Sequence, residues 1–225
     1  MAYKQRSPQA VVEGGSGAAT LTGVLTGNGT SAFTVSTVTD NTVIMGSTSN
    51  LVQNTTIKVT DNGEMTNASQ PAFSGYLNAA ASNVTGDGTS AYLGDSDISA
   101  GLTEITDQNA DFVPSASGGA VFTAPVTGQY YITMSTGNDG LTSGMTALSN
   151  RIDSSNRGYR GTEGDAFSIG NSSNALTMGY GVLVDMDAAD TVKAFNVISN
   201  GTKVAGFTAP QGGYIKTYFM GHLIC

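Results

Sequence analysis

Apolar residues come in short runs along this chain, and β-branched types fill most of them. "TVIM", "TIKV", "VLVDM", "VKAFNVI" and "IKTYFMGHLI" are strand-sized and bounded by Gly, Asn, Asp or Ser. Helical patterning is nearly absent. Turn dipeptides recur at Asn28-Gly29, Asn62-Gly63, Asp87-Gly88, Asp139-Gly140 and Asn200-Gly201. Many short strands with frequent turns predict an all-β sandwich or barrel, not a parallel α/β sheet.

Large side chains are unevenly spread. Between Phe33 and Phe73 there is no aromatic residue, and residues 1–69 are too thin in apolar groups to build a core alone. The alternation in "TIKVTDNGEMT" nonetheless favours ordered strands over a loose linker. This predicts a β-rich shaft over residues 14–69 that buries itself against copies of itself, with Leu21, Val24, Leu25, Ile44 and Val59 along the shared axis. From Gln70 onward aromatics return at a spacing that suits roughly eight to ten strands of a sandwich or jelly roll.

The last strand carries large groups on both parities. Tyr214, Lys216, Tyr218, Met220 and His222 share one face, and Ile215, Thr217, Phe219, Gly221 and Leu223 the other. One face is expected to fill the sandwich and the other to meet partner chains, because a strand with one wet face should show polar residues there. Tyr218, Phe219, Met220 and His222 are therefore interface candidates. "FTAP" occurs twice, at Phe122–Pro125 and Phe207–Pro210, but the flanking sequences do not align. Each proline suits a loop where no ladder N–H is needed, so the two copies read as one kind of turn used twice, not a repeat.

Composition narrows the function classes. Only 12% of the 225 residues are charged, 30 are glycine, and the net charge is −8. That balance argues against nucleic-acid binding, which relies on clustered Lys and Arg. Nothing in "MAYKQRSPQAVV" reads as a secretory signal, and no run is long enough to cross a membrane as a helix. Cys225 is the single cysteine, so no internal disulfide is available. Six Asn-X-Ser/Thr sequons follow from the abundance of Asn, Ser and Thr rather than marking glycans.

Four stretches resemble the C1q-like domain family in order along the chain. They are "QPAFSGYL" (Gln70–Leu77), "NVTGDGT" (Asn83–Thr89), "FTAPVTGQYYIT" (Phe122–Thr133) and "GGYIKTYFMGHLI" (Gly212–Ile224). "GGSGAATLTGVLTGNGTSAFT" (Gly14–Thr34) resembles the Gly-Gly-x-Gly and Gly-Asn-Gly-Thr repeats of bacteriophage fibre shafts. Together these resemblances imply an all-β protein of a virion: an attachment peptide at 1–13, a trimeric shaft at 14–69, and a C1q/TNF-like jelly-roll head at 70–225. They imply a homotrimer, held to another virion protein through its N terminus, whose head binds a glycan or protein of the host surface.

Candidate chemistry is sparse. His222 is the only histidine and reads as a packing residue; no catalytic set forms around it in sequence. The nearest approaches to a Ca²⁺ site are Asp185, Asp187 and Asp190, with Asp95 and Asp97 behind them, yet neither group has EF-hand spacing, and a plain turn that ends a strand explains the first better. No cofactor is expected. "RIDSSNRGYRGTEGD" (Arg151–Asp165) follows a stretch from Val59 to Asn150 without any Lys or Arg. Arg151, Arg157, Tyr159 and Arg160 make it a candidate recognition loop, since Arg forks match carboxylate or phosphate and Tyr stacks on sugar rings. Adhesion by a tail or host-binding fibre, decoration of a capsid, and glycan hydrolysis by carboxylates all remain open at this point.

Overall fold

The computed structural model describes the strands Val24–Asn28, Ser31–Ser36 and Thr42–Gly46, and residues 52–98 and 101–224. The chain divides into two units, Met1–Ala68 and Ser69–Cys225.

In the first unit, β1 (Val24–Asn28) pairs antiparallel with β2 (Ser31–Ser36). A second, three-stranded sheet has β4 (Val52–Val59) between β3 (Thr42–Gly46) and β5 (Met65–Asn67). Thr55, Ile57 and Val59 are half-buried while Thr56 and Lys58 are exposed, the period-2 alternation read from the sequence. At Asn62-Gly63, Gly63 takes φ +89° and its N–H donates to Thr60 O at 2.8 Å, closing the β4–β5 turn. Residues 1–13 and Leu21 lie outside the described residues, as do the side chains of Val24, Leu25 and Ile44.

The second unit holds thirteen strands among its described residues. They are β6 (Ala72–Leu77), β7 (Ala81–Thr85), β8 (Ser90–Tyr92), β9 (Leu102–Asp107), β10 (Phe112–Val113), β11 (Val121–Thr123), β12 (Gly128–Asp139), β13 (Ala147–Ser154), β14 (Gly158–Gly164), β15 (Leu176–Met186), β16 (Thr191–Ser199), β17 (Ala205–Phe207) and β18 (Tyr218–Leu223). The count exceeds the expected eight to ten because β8, β10, β11 and β17 are two or three residues long, too short to leave a periodic signal. The closing strand is also shorter than expected: Tyr214 and Ile215 fall outside it and are exposed.

Two antiparallel sheets result. One runs β10-β11-β16-β13-β14, with β8 also on β16. The other runs β7-β17-β12-β18-β6-β9, with β15 pairing β12 from Gly128 to Asn138. The four family-like stretches fall on β6, the β7–β8 turn, β11–β12 and β18. The two "FTAP" copies prove to do different things. The first links β11 in one sheet to β12 in the other, whereas the second leads from β17 toward β18 in the same sheet.

Between the sheets lies an aromatic core. Phe73 stacks on Phe122 (centroids 4.4 Å, 14° between planes), tilts against Phe112 at 4.7 Å and meets Phe219 edge-on at 5.0 Å. Tyr130 packs on Phe122 at 5.6 Å and satisfies its hydroxyl by donating to Val126 O. Arrangements of this kind add to the area buried. A smaller cluster of Leu141, Met145, Leu148, Ala166, Ile198 and Ala205 sits beneath the short helix α1 (Ala166–Ile169), whose N-cap Asp165 accepts from the Ser168 N–H.

A polar network is sealed within the sandwich. Asn150 Oδ1 accepts from the Thr136 hydroxyl (3.0 Å) and the Asn196 amide (2.7 Å), while Asn150 Nδ2 donates to Met178 O (2.9 Å), tying one sheet to the other. Thr136, Asn150 and Asn196 are fully buried. Asn150→Ala should lower unfolding free energy by about 1–3 kcal/mol, because it strands two buried donors and an acceptor. Denaturant unfolding measures this, and an unchanged midpoint would show that the network contributes nothing net.

Candidate functional site

Two surfaces of the second unit gather the residues singled out in the sequence. The segment Arg151–Asp165 is not a loop. It spans most of a β-hairpin, β13 and β14, joined by a tight turn in which Ser154 and Arg157 exchange hydrogen bonds. Register then sorts the four candidates. Arg151 stands directly opposite Arg160 on the outer face. Tyr159 stands opposite fully buried Ile152, so it turns inward and packs on the core; its backbone oxygen accepts the Tyr180 hydroxyl at 2.8 Å. Tyr159 therefore cannot stack on a sugar bound beside Arg160.

Arg157 is exposed at the turn, away from the pair. The neighbouring Ser155 and Asn156 both bond Asp190. That turn lies at the end of the sandwich where Ile224 N–H donates to Gln129 O and Leu223 N–H to Pro71 O, which is where the chain enters the unit.

Side chains that composition alone did not flag complete the outer face. Arg151 lies 5.7 Å over the Phe195 ring, Phe195 packs on Tyr92 at 4.7 Å, and Lys193 Nζ lies 5.8 Å over Tyr92. This ladder of cations and rings was legible in "VKAFNVI", where Lys193, Phe195 and Val197 alternate on one parity.

The other surface is the outer face of the second sheet. Register stacks three rows across β15, β12, β18 and β6: Leu183–Tyr131–His222–Ala72, Gly181–Thr133–Met220–Ser74, and Gly179–Ser135–Tyr218–Tyr76. No Asp, Glu, Lys or Arg stands in these rows. Leu183 is 53% exposed and Tyr131 39%. The Tyr131 ring lies flat across Gly181, where a Cβ would come within 2.3 Å of its hydroxyl oxygen. Phe219 belongs to the opposite parity and is fully buried beneath this face, against Phe73, so it fills the core and offers nothing to a partner. Tyr218, Met220 and His222 do lie on the outer face, with His222 6.0 Å from the Tyr131 ring.

The aspartates of "DMDAAD" separate. Asp185 points outward from β15, while Asp190 closes the following turn by accepting from the Ser155 hydroxyl, the Asp187 N–H and the Asn156 amide. Those bonds, led by Ser155, hold the Asp190 carboxyl below the usual carboxylate range. Asp95 likewise accepts backbone N–H groups from Asp97 and Gly118. Among the described residues, no group of three or more His, Cys, Asp or Glu is placed to hold a metal ion.

The unit is an all-β two-sheet sandwich. Solved structures similar to it include the globular domain of zebrafish complement 1qA protein (20% identity, 69% of this chain and 98% of that chain, TM-score 0.43). Murine APRIL (7% identity, 69% and 99%, TM-score 0.43) and the PRD1 vertex protein P5 (12% identity, 69% and 98%, TM-score 0.44) are also similar. No protein-family model and no curated protein matches the sequence.

Proposed function

We propose that this chain is a homotrimeric structural protein of a virion, a fibre whose sandwich unit is its adhesive head. The observation that carries the assembly is the patch of Tyr131, Leu183, Tyr218, Met220, Tyr76 and His222, whose three rows hold no Asp, Glu, Lys or Arg. An aromatic and aliphatic patch without charges is the kind of surface that copies of a chain cover for one another. Three copies, rather than two, follow from the likeness of the four head stretches to C1q-like domains. The fibre reading follows from the Gly-rich leader at Gly14–Thr34.

In this reading no bond is made or broken. Residues 1–13 dock on another virion protein, the shaft pairs strands between chains, and three heads raise weak contacts with a host surface to useful avidity. Sedimentation equilibrium of the whole chain should give a mass of three copies. A stable monomer at low micromolar concentration would end the proposal.

A further inference from the structure

β13 and β14 oppose Arg151 and Arg160 in the ladder. Like charges directly opposite one another weaken a strand pair. The chain has 9 basic and 17 acidic residues, so carboxylates to neutralise both are plentiful. Only one is used. Arg160 Nη1 meets Glu163 Oε1 at 2.6 Å in a surface pair, and Arg151 has no carboxylate partner among the described residues. Arg151 is nonetheless held in place, its Nε donating to Ser149 Oγ at 3.0 Å and its guanidinium seated over Phe195. Its two Nη groups have no acceptor among the described residues.

Beside the two guanidinium groups lies a depression lined also by Ala147, Ser149, Val197, Ser199 and Glu163. It offers two planar cationic forks, two hydroxyls and a small apolar floor. We propose that this depression binds the carboxylate of an acidic sugar in a surface polysaccharide. The carboxylate bridges the Arg151 Nη groups and Arg160, displacing Glu163; Ser149 and Ser199 meet ring hydroxyls; Val197 and Ala147 meet the apolar side of the ring. Glu163 already seats a carboxylate against Arg160, so a ligand carboxylate can take its place there. Arg151 is already ordered by its ring and hydroxyl contacts, so little side-chain freedom is lost on binding. The assignment rests on the adhesive reading only for the source of the sugar.

The test is calorimetric titration of the whole chain with three probes of equal length: oligogalacturonate, neutral oligogalactose and an oligomer of glycerol phosphate. Oligogalacturonate should bind, and more weakly as salt rises. Arg151→Ala and Arg160→Ala should each weaken it about tenfold or more, and Arg151→Lys should weaken it too, because a point charge lacks the bidentate fork. Glu163→Gln should tighten it by removing the competing carboxylate. Equal binding of the neutral sugar, preference for the phosphate oligomer, or unchanged affinity in both Arg→Ala variants would overturn the site. Binding to a panel of encapsulated bacterial cells separates the two claims. Cell adhesion that survives both Arg→Ala changes refutes the site and leaves the adhesin. Oligogalacturonate binding without adhesion to any cell refutes the adhesin and leaves the site.

Discussion

Phe122→Ala is expected to cost about 3–5 kcal/mol of stability, the range for deleting a large aromatic from a packed core. Phe122 is fully buried, stacked on Phe73 at 4.4 Å and packed against Tyr130 at 5.6 Å. It sits on β11, a strand of three residues, and contacts rings from the opposite sheet. Collapse around the lost ring is hindered because Phe73 is braced on its other sides by Phe112 and Phe219. A loss below about 1 kcal/mol in denaturant unfolding would mean that the sheets can close over the cavity, and would contradict the rigid packing described.

The second large effect concerns assembly. Met220→Glu places a carboxylate in the middle row of the uncharged patch, between Thr133 and Ser74. In a symmetric assembly the charge appears once per copy, and each must lose water or meet its like. The association constant should fall by about a hundredfold or more, roughly 2.7 kcal/mol. Sedimentation over a dilution series reads this as monomer appearing at higher protein concentration. Any contribution from the shaft leaves the displacement in place, since the free energies add. An unchanged dilution curve would remove this face as the contact. Met220 points away from the core, so a native circular dichroism spectrum is expected.

Strand existence was readable where branched residues alternate, as in "VKAFNVI" and "TIKV". The parity of the last strand was equally plain, but parity alone does not say which side is the interior. Only packing against Phe73 assigns Phe219 inward and Met220 outward. The Arg151–Asp165 segment looked like a loop because Arg, Gly, Ser and Asp are poor strand formers; pairing with β16 on one side and β14 on the other makes β13 a strand regardless. Asn150 and Asn196 carried no warning of burial, since an isolated Asn reads as surface and its partners come from the neighbouring strand and the facing sheet, far away in sequence. The apposition of Arg151 and Arg160 is set by the length of the turn between Asp153 and Gly158, which no hydrophobic pattern encodes.

The first and last strands of the sandwich lie side by side, paired from Ala72–His222 to Tyr76–Tyr218, with Gln70 Nε2 donating to Leu223 O at 2.7 Å just before them. Tension applied at Gln70 along the line of β6 is met by β18 on one side and β9 on the other. Both ladders are then loaded in shear, and their bonds must yield together instead of opening one at a time from an end. A tether joined at this point can drag on the sandwich without peeling it apart.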